Sequence, residues 1–268
     1  MEVALVSLNP KWKDKQTNFK VCEKIFEELQ DLHVNLVVFP ESTLTGFAFS
    51  DAFQAEALRE SKTLQFFVEK AKKFHTAVMF GMFIKSEIED SISNSAVLLD
   101  CRGVIKGLYS KLHLFSPGYE DEYISKGKDL VNAELEGEKI GMSICYDLRF
   151  PGMFRQYRNN SRIIINIANW PSQRSIHWDT LLRARAIENQ TYFVGVNRSG
   201  SDPEGIFYGG DSMIYSPQGD LVRARYRSEM IAVYSLNLGL VNESRSMFKV
   251  LNDDRFQYIS SDVTDLDL

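Results

Sequence analysis

Short apolar runs alternate along the chain with stripes of helical period, and this alternation sets out the predicted elements. Val3–Leu8 is a first strand. Phe19, Cys22, Ile25, Phe26, Leu29 and Leu32 then recur at three- and four-residue steps, the stripe of an amphipathic helix, which makes Cys22 a core residue. Leu36–Phe39 is a buried strand that runs straight into Pro40, Glu41 and Ser42. Leu64, Phe67, Val68, Ala71 and Phe74 mark a second helix, followed by a strand over Ala77–Ile84. Ser95–Leu99 and Val104–Tyr109 flank a turn at Asp100–Gly103 and read as a hairpin. Lys111–Phe115 and a polar loop over 116–128 lead to the apolar run Ile140–Ile144, which ends on Cys145. Pro151 then opens an amphipathic segment, Met153–Tyr157, from a first-turn position where its missing N–H does no harm.

Ile163–Ala168 and Tyr192–Asn197 are strands on either side of a helix from about Trp178 to Gln190. Ser212–Tyr215 and Leu221–Arg225 read as a second hairpin, and Met230–Leu236 as the last strand. Beyond Asn237 a mobile tail is expected, ending in the acidic run Asp262–Asp267. Strands and helices alternate in both halves, with no repeat or linker between them. The expectation is one α/β domain over residues 1–268, with a tail from about 238, built on a mixed sheet or two stacked sheets.

Composition narrows the function more than the fold. The net charge is −5, with acidic and basic residues interleaved, which argues against nucleic acid or an anionic membrane as the main partner. No apolar run approaches the roughly 20 residues that span a bilayer, and Met1–Leu5 lacks the basic flank and long apolar region of a signal peptide. Three distant cysteines, Cys22, Cys101 and Cys145, do not make a disulfide framework, so a reducing, cytoplasmic setting is expected. The four histidines are scattered without metal-ligand spacing, and phosphate-loop, dinucleotide and GxSxG motifs are absent. No metal or cofactor is expected.

What stands out is a set of polar residues where apolar strands stop. Glu41 follows Phe39–Pro40, Lys111 follows Leu108–Ser110, and Cys145 follows Ile144. Strand ends are where groups converge in stacked α/β sheets. Each residue also has a plain structural reading: a helix-start carboxylate, a solvated lysine, a small buried cysteine. The strand–turn corner at Cys145, near backbone N–H groups, favours a thiolate. Chemically the three are complementary. A thiol at its ordinary pKa of about 8.5 is only a few per cent ionised near neutrality. A carboxylate can take the thiol proton and return it to a leaving amine, and an ammonium can hold a tetrahedral oxyanion.

The segments Val38–Glu41, Tyr109–His113 and Ile144–Pro151 resemble, in order, the three signature stretches of the nitrilase or carbon–nitrogen hydrolase superfamily, with similarity from Met1 to about Leu240. The resemblance implies an αββα sandwich of two mixed sheets, with Glu41 as general base, Lys111 as oxyanion stabiliser and Cys145 as nucleophile. It also implies a second glutamate in the loop after the lysine, which Glu120 matches, with Glu122 as competitor. Gly152 departs from the glutamate usual after the proline and leaves local support of the following helix open. The stretches Ala168–Trp178 and Arg183–Gln190 resemble ω-amidase-like members, which implies hydrolysis of dicarboxylate monoamides through a thioester. In that reading the Tyr146 N–H joins Lys111 at the oxyanion. Arg149 or Arg174 receives the distal carboxylate, unless Arg149 pairs with Asp147 or Glu188 as scaffold. Phe47, Tyr119, Trp170 and Phe207 are candidate pocket walls; His113 and His177 are structural. Sister activities on N-carbamoyl amino acids or nitriles use the same triad, although Tyr146 after the cysteine counts against the nitrile, and a non-catalytic module on the fold is a further alternative. The family likeness implies a homodimer packed through the helices after Cys145 and Trp178.

Overall fold

A computed structural model describes residues 1–253. The chain runs β1 (Glu2–Val6), α1 (Lys15–Leu29), β2 (Leu36–Val38), α2 (Lys62–Phe74), β3 (Ala77–Lys85), β4 (Ile92–Leu99) and β5 (Ile105–Ser110). It continues β6 (Asn132–Leu135), β7 (Glu138–Ile144), α3 (Pro151–Tyr157), β8 (Ile163–Ala168), α4 (Ser175–Asn189) and β9 (Tyr192–Asn197). It ends β10 (Ser199–Ser201), β11 (Phe207–Gly209), β12 (Met213–Tyr215), β13 (Tyr226–Arg227), β14 (Ile231–Ser235) and α5 (Gly239–Met247).

Two mixed sheets form the frame, ordered β13-β14-β1-β2-β3-β4-β5 and β12-β9-β8-β7-β6, with β10 and β11 as a separate ribbon. β1, β2 and β3 are parallel neighbours, as are β7, β8 and β9, while the outer strands join antiparallel. Period-two alternation in β1 explains the layering. Val3 and Leu5 face the second sheet, in one core with Ile140, Met142 and Ile144; Ala4 and Val6 face α1 and α2, in another with Cys22, Phe26 and Phe67. α3 and α4 cover the far side of the second sheet, where Phe154 meets Phe193 edge-on. The result is the αββα sandwich, with β2, β7 and β8, buried on both faces, at its centre. No helix among the described residues is long and apolar enough to cross a membrane.

The helix ends follow local chemistry. The Asp14 carboxylate accepts from the Thr17 N–H to start α1, and the Ser61 hydroxyl accepts from the Leu64 N–H to start α2. α3 forms despite Gly152, which is exposed and faces open space, because Met153, Phe154 and Tyr157 are buried.

Two expectations need correction, and one strand was not foreseen. The second hairpin reduces to one bridge between Tyr215 and Leu221, since β12 pairs with β9 instead. The short strand β6 was hidden in a polar stretch. The region after Asn237 does not begin as a loose tail: α5 docks through Val241 and Ser244. Its Arg245 guanidinium donates to the carbonyls of Arg158 (2.6 Å), Ser161 (3.1 Å) and Gln190 (3.2 Å). The acidic run Asp262–Asp267 lies outside the described residues.

Candidate active site

Strand ends bring the sequence-predicted residues to one place. Glu41 leaves β2 in a tight turn whose next residue, Ser42, is left-handed (φ 50°). The turn lies directly on β3: a Cβ at Gly81 would meet the Ser42 nitrogen at 2.5 Å and the Glu41 Cα at 2.8 Å, so only glycine fits there. Lys111 follows β5 and is pinned from both sides, its N–H donating to the Asn94 carbonyl and its own carbonyl accepting from the Gly127 N–H, each at 2.9 Å. Glu120 sits in a single 3-10 turn after the left-handed Tyr119 (φ 62°). Cys145 closes β7 and is itself left-handed, at φ 47°. Non-glycine residues in this region carry strain of about 1–3 kcal/mol and persist only where the surroundings enforce them. Here one stands at, or directly beside, each of three candidate residues.

Glu41, Lys111 and Glu120 are completely buried and form one cluster. Lys111 Nζ donates to Glu41 Oε1 (2.9 Å) and to Glu120 Oε2 (2.9 Å) and Oε1 (3.2 Å). Asn94 Nδ2 donates to Glu41 Oε1 (2.7 Å) and Glu120 Oε1 (2.8 Å). The remaining oxygens accept from main chain and amide. Asn169 N and Nδ2 donate to Glu41 Oε2 at 2.8 and 3.1 Å, and Phe115 N donates to Glu120 Oε2 at 2.7 Å. Glu122, the competitor for the second glutamate position, is exposed.

Burial pulls the Lys111 pKa down, but the carboxylates of Glu120 and Glu41 overcome it and hold the ammonium well above its ordinary value. Burial likewise works against the Glu41 carboxylate. The charge of Lys111 and the hydrogen bonds from Lys111, Asn169 and Asn94 more than offset it and keep Glu41 below the usual carboxylate range. Cys145 goes the other way. Burial and the negative charge of Glu41 push its thiol well above the ordinary range, against the opposing pull of Lys111. This reverses the expectation of a thiolate at the strand–turn corner: the resting sulfur is a neutral thiol, directed at the Asn169 carbonyl 3.8 Å away. The turn that follows is one short 3-10 segment, too little helix to outweigh two buried carboxylates.

Cys145 opens into a cavity of 190 Å³ whose walls include Phe47, Tyr146, Arg149, Trp170, Arg174 and Tyr208. Arg149 lies over the Trp170 ring at 4.7 Å, and Arg174 is 5.7 Å from the Phe115 ring. Among the described residues neither has an ion-pair partner. The scaffold alternative for Arg149 is not what the structure holds. Asp147 accepts instead from the Ile144 N–H (2.9 Å), the Tyr109 hydroxyl (2.7 Å) and His113, and Glu188 pairs with Arg185 at 3.1 Å. His113 therefore has a partner invisible in the sequence: its Nδ1 is 2.8 Å from Asp147 Oδ1, and its ring stacks on Phe150 at 3.8 Å. Of the other proposed walls, Tyr119 and Phe207 fall outside this cavity, 65% and 59% exposed; Tyr208, one residue on, points in because the strand alternates.

Sequence reasoning missed Asn94 and Asn169, which hold the carboxylates, and Trp12, Asp202 and Tyr208, which line the cavity. Asn169 stands one residue past β8, the same kind of position that singled out Glu41. Counting amides along with charged groups at strand ends would have found it. No group of three or more His, Cys, Asp or Glu among the described residues could hold a metal ion.

A strand-end thiol beside a buried ammonium and two carboxylates, on an αββα sandwich, defines a class of hydrolase. Residues 2–246 match the carbon–nitrogen hydrolase family, and the chain belongs to it. It is 31% identical over 259 residues to omega-amidase YafV of Escherichia coli K12, covering 96% of this chain and 98% of that one. It is 35% identical over 253 residues to a 2-oxoglutaramate amidase of Paenarthrobacter nicotinovorans, covering 88% and 85%. Among solved structures it is similar to XC1258 of Xanthomonas campestris, a CN-hydrolase superfamily protein carrying an arsenic adduct in its active site. That match has a TM-score of 0.88 and 27% identity over 97% of this chain and 99% of that one.

Proposed function

We propose that the protein hydrolyses the terminal carboxamide of small dicarboxylate monoamides, of the 2-oxoglutaramate type, through a thioester on Cys145. The observation that carries this reading is the cavity itself. Its floor holds a thiol facing the Glu41–Lys111–Glu120 cluster, and its wall holds two guanidinium groups without carboxylate partners. A floor of that kind suits an amide carbonyl, and such a wall suits a free carboxylate at the other end of the same small molecule. Relatives named omega-amidase and 2-oxoglutaramate amidase support the same substrate class.

In this mechanism the Cys145 sulfur attacks the amide carbon as its proton passes to Glu41. The resting thiol is neutral and Glu41 is a weak base, so transfer is unfavourable until the carbon–sulfur bond forms; attack and proton transfer therefore go together. The oxyanion is held by the Lys111 ammonium and the Tyr146 N–H. Glu41 returns the proton to nitrogen, the carbon–nitrogen bond breaks, and ammonia leaves the acyl group on sulfur. Water then adds to the thioester, giving a proton to Glu41. The carbon–sulfur bond breaks, the sulfur recovers that proton, and the acid is released. Glu120 does not touch the reacting atoms; it fixes the ammonium.

Ammonia release from succinamate, glutaramate, an N-carbamoyl amino acid and a simple nitrile, measured side by side, tests the proposal. Turnover of the two monoamides well above the others, abolished in Cys145→Ala, is the expected result. Preference for the carbamoyl compound or the nitrile would overturn the substrate class, and an active Cys145→Ala would overturn the mechanism.

A further inference from the structure

We propose that Asn94 is a positioning residue of this site: its amide nitrogen ties the Glu41 and Glu120 carboxylates together around Lys111, so that the ammonium spends only its weakest bond on the oxygen Asn94 already holds. The inference rests on the hydrolytic reading above.

The cluster holds two carboxylates and one ammonium, so it carries an uncompensated negative charge inside the protein. Like charges confined in this way ordinarily relax by binding a proton. Here a neutral fork of two N–H groups takes the place of that proton, reaching Glu41 Oε1 at 2.7 Å and Glu120 Oε1 at 2.8 Å. Among the described residues Asn94 and Lys111 are the two groups that bond both carboxylates. Asn94 occupies Glu120 Oε1 at the shorter distance, where Lys111 reaches only to 3.2 Å. Lys111 then keeps one bond to each glutamate at 2.9 Å, while its third N–H makes only the longer 3.2 Å bond and is the one an oxyanion would share.

Two further observations favour a donor role over plain packing. The side-chain oxygen Oδ1 of Asn94 is buried without a partner among the described residues, so the side chain leaves one acceptor unmet to aim its nitrogen at the carboxylates. Turning the amide over would set that oxygen against two anions, so the orientation follows from the chemistry. The backbone adds a constraint, since the Asn94 main-chain carbonyl accepts the Lys111 N–H; one residue thus registers the lysine's main chain and both partners of its side chain.

Removing the fork raises the proton affinity of the Glu41 carboxylate, which the Asn94 hydrogen bond helps to hold down. A protonated Glu41 cannot accept the thiol proton. Asn94→Ala is therefore expected to move the acid limb of the kcat/KM–pH profile upward by about one unit, lowering kcat much more than it raises KM. Asn94→Ser, with a single short donor, should shift it less in the same direction. The deciding readout does not need turnover: pH titration of the Glu41 carboxyl carbon by NMR on 13C-glutamate-labelled protein. A Glu41 midpoint higher in the variant than in the parent supports the proposal. An unmoved midpoint overturns it whatever the rates do, and a moved midpoint with a superimposable rate profile overturns the catalytic part. If the alanine variant does not fold, the serine variant is read by the same criteria. If the parent protein releases no ammonia from any amide, the hydrolytic reading fails separately while the titration still judges the carboxylate tie.

Discussion

The two ends of the cavity are built on opposite plans. At the inner end every carboxylate oxygen of Glu41 and Glu120 accepts two hydrogen bonds, and Lys111 has no contact with solvent. At the outer end Arg149 and Arg174 are half-exposed, lie against aromatic rings, and have no carboxylate partner among the described residues. The inner end is finished before any substrate arrives, so no reorganisation is needed as charge develops. The outer end is open, and in the proposed reading it takes a group the substrate brings. A rigid site fixes the reaction; an unfinished one selects the molecule.

Breaking the inner end has the largest expected effect. Lys111→Met leaves two buried carboxylates without their cation, which should cost about 3–5 kcal/mol of stability, seen as a lower urea midpoint, together with loss of ammonia release. A Lys111→Met variant as stable as the parent would show that the cluster is not balanced by charge. Gly81→Ala attacks the same end without changing a charged group. Its Cβ would overlap the Glu41 turn, and an ångström of displacement is expected to lower kcat by about 100-fold. A normal kcat in that variant would mean that the turn can move without consequence.

The resting state of the thiol sharpens the comparison next. If the inner end keeps Cys145 neutral, alkylation by iodoacetamide at pH 7 should be at least about 100-fold slower than its high-pH limit, and should still be rising at pH 9. The sign follows from the upward shift: the reactive anion appears only as pH climbs through the raised pKa. A plateau near neutrality would indicate a resting thiolate and a base already protonated.

Legibility in the sequence follows the same division. Glu41, Lys111 and Cys145 could be read because each lies at or near the end of an apolar run, where a polar residue interrupts the pattern; Glu120, inside a polar loop, was reached only through the family resemblance. Asn94 could not, because it sits inside β4 beside other small polar residues, and a buried polar position in a strand looks like the solvent face of an alternating one. The cavity walls were harder still. Trp12, Asp202 and Tyr208 come from loops and a short ribbon with no periodic signal, brought in only by the long-range pairing of the sheets. α5 was missed for a related reason: beside the buried Val241, its anchor is an arginine donating to main-chain carbonyls, a contact with no hydrophobic signature.

The smallest expected effects lie at the outer end, and they test the proposed substrate choice. Arg149→Lys keeps the charge but removes the planar fork, so KM for 2-oxoglutaramate should rise about tenfold. KM for a small uncharged amide and the unfolding midpoint should hardly move. Arg174→Gln tests whether the second guanidinium shares the task. Trp170 Nε1 donates to the Arg174 main-chain carbonyl at 2.8 Å, a bond that a side-chain substitution leaves intact, so the indole wall stays in place. If both cations grip one carboxylate, the double variant should lose less than the product of the single losses, because each single change already spoils the shared geometry. Losses that multiply would mean that the two arginines bind different groups, and equal losses on charged and uncharged amides would remove both from specificity.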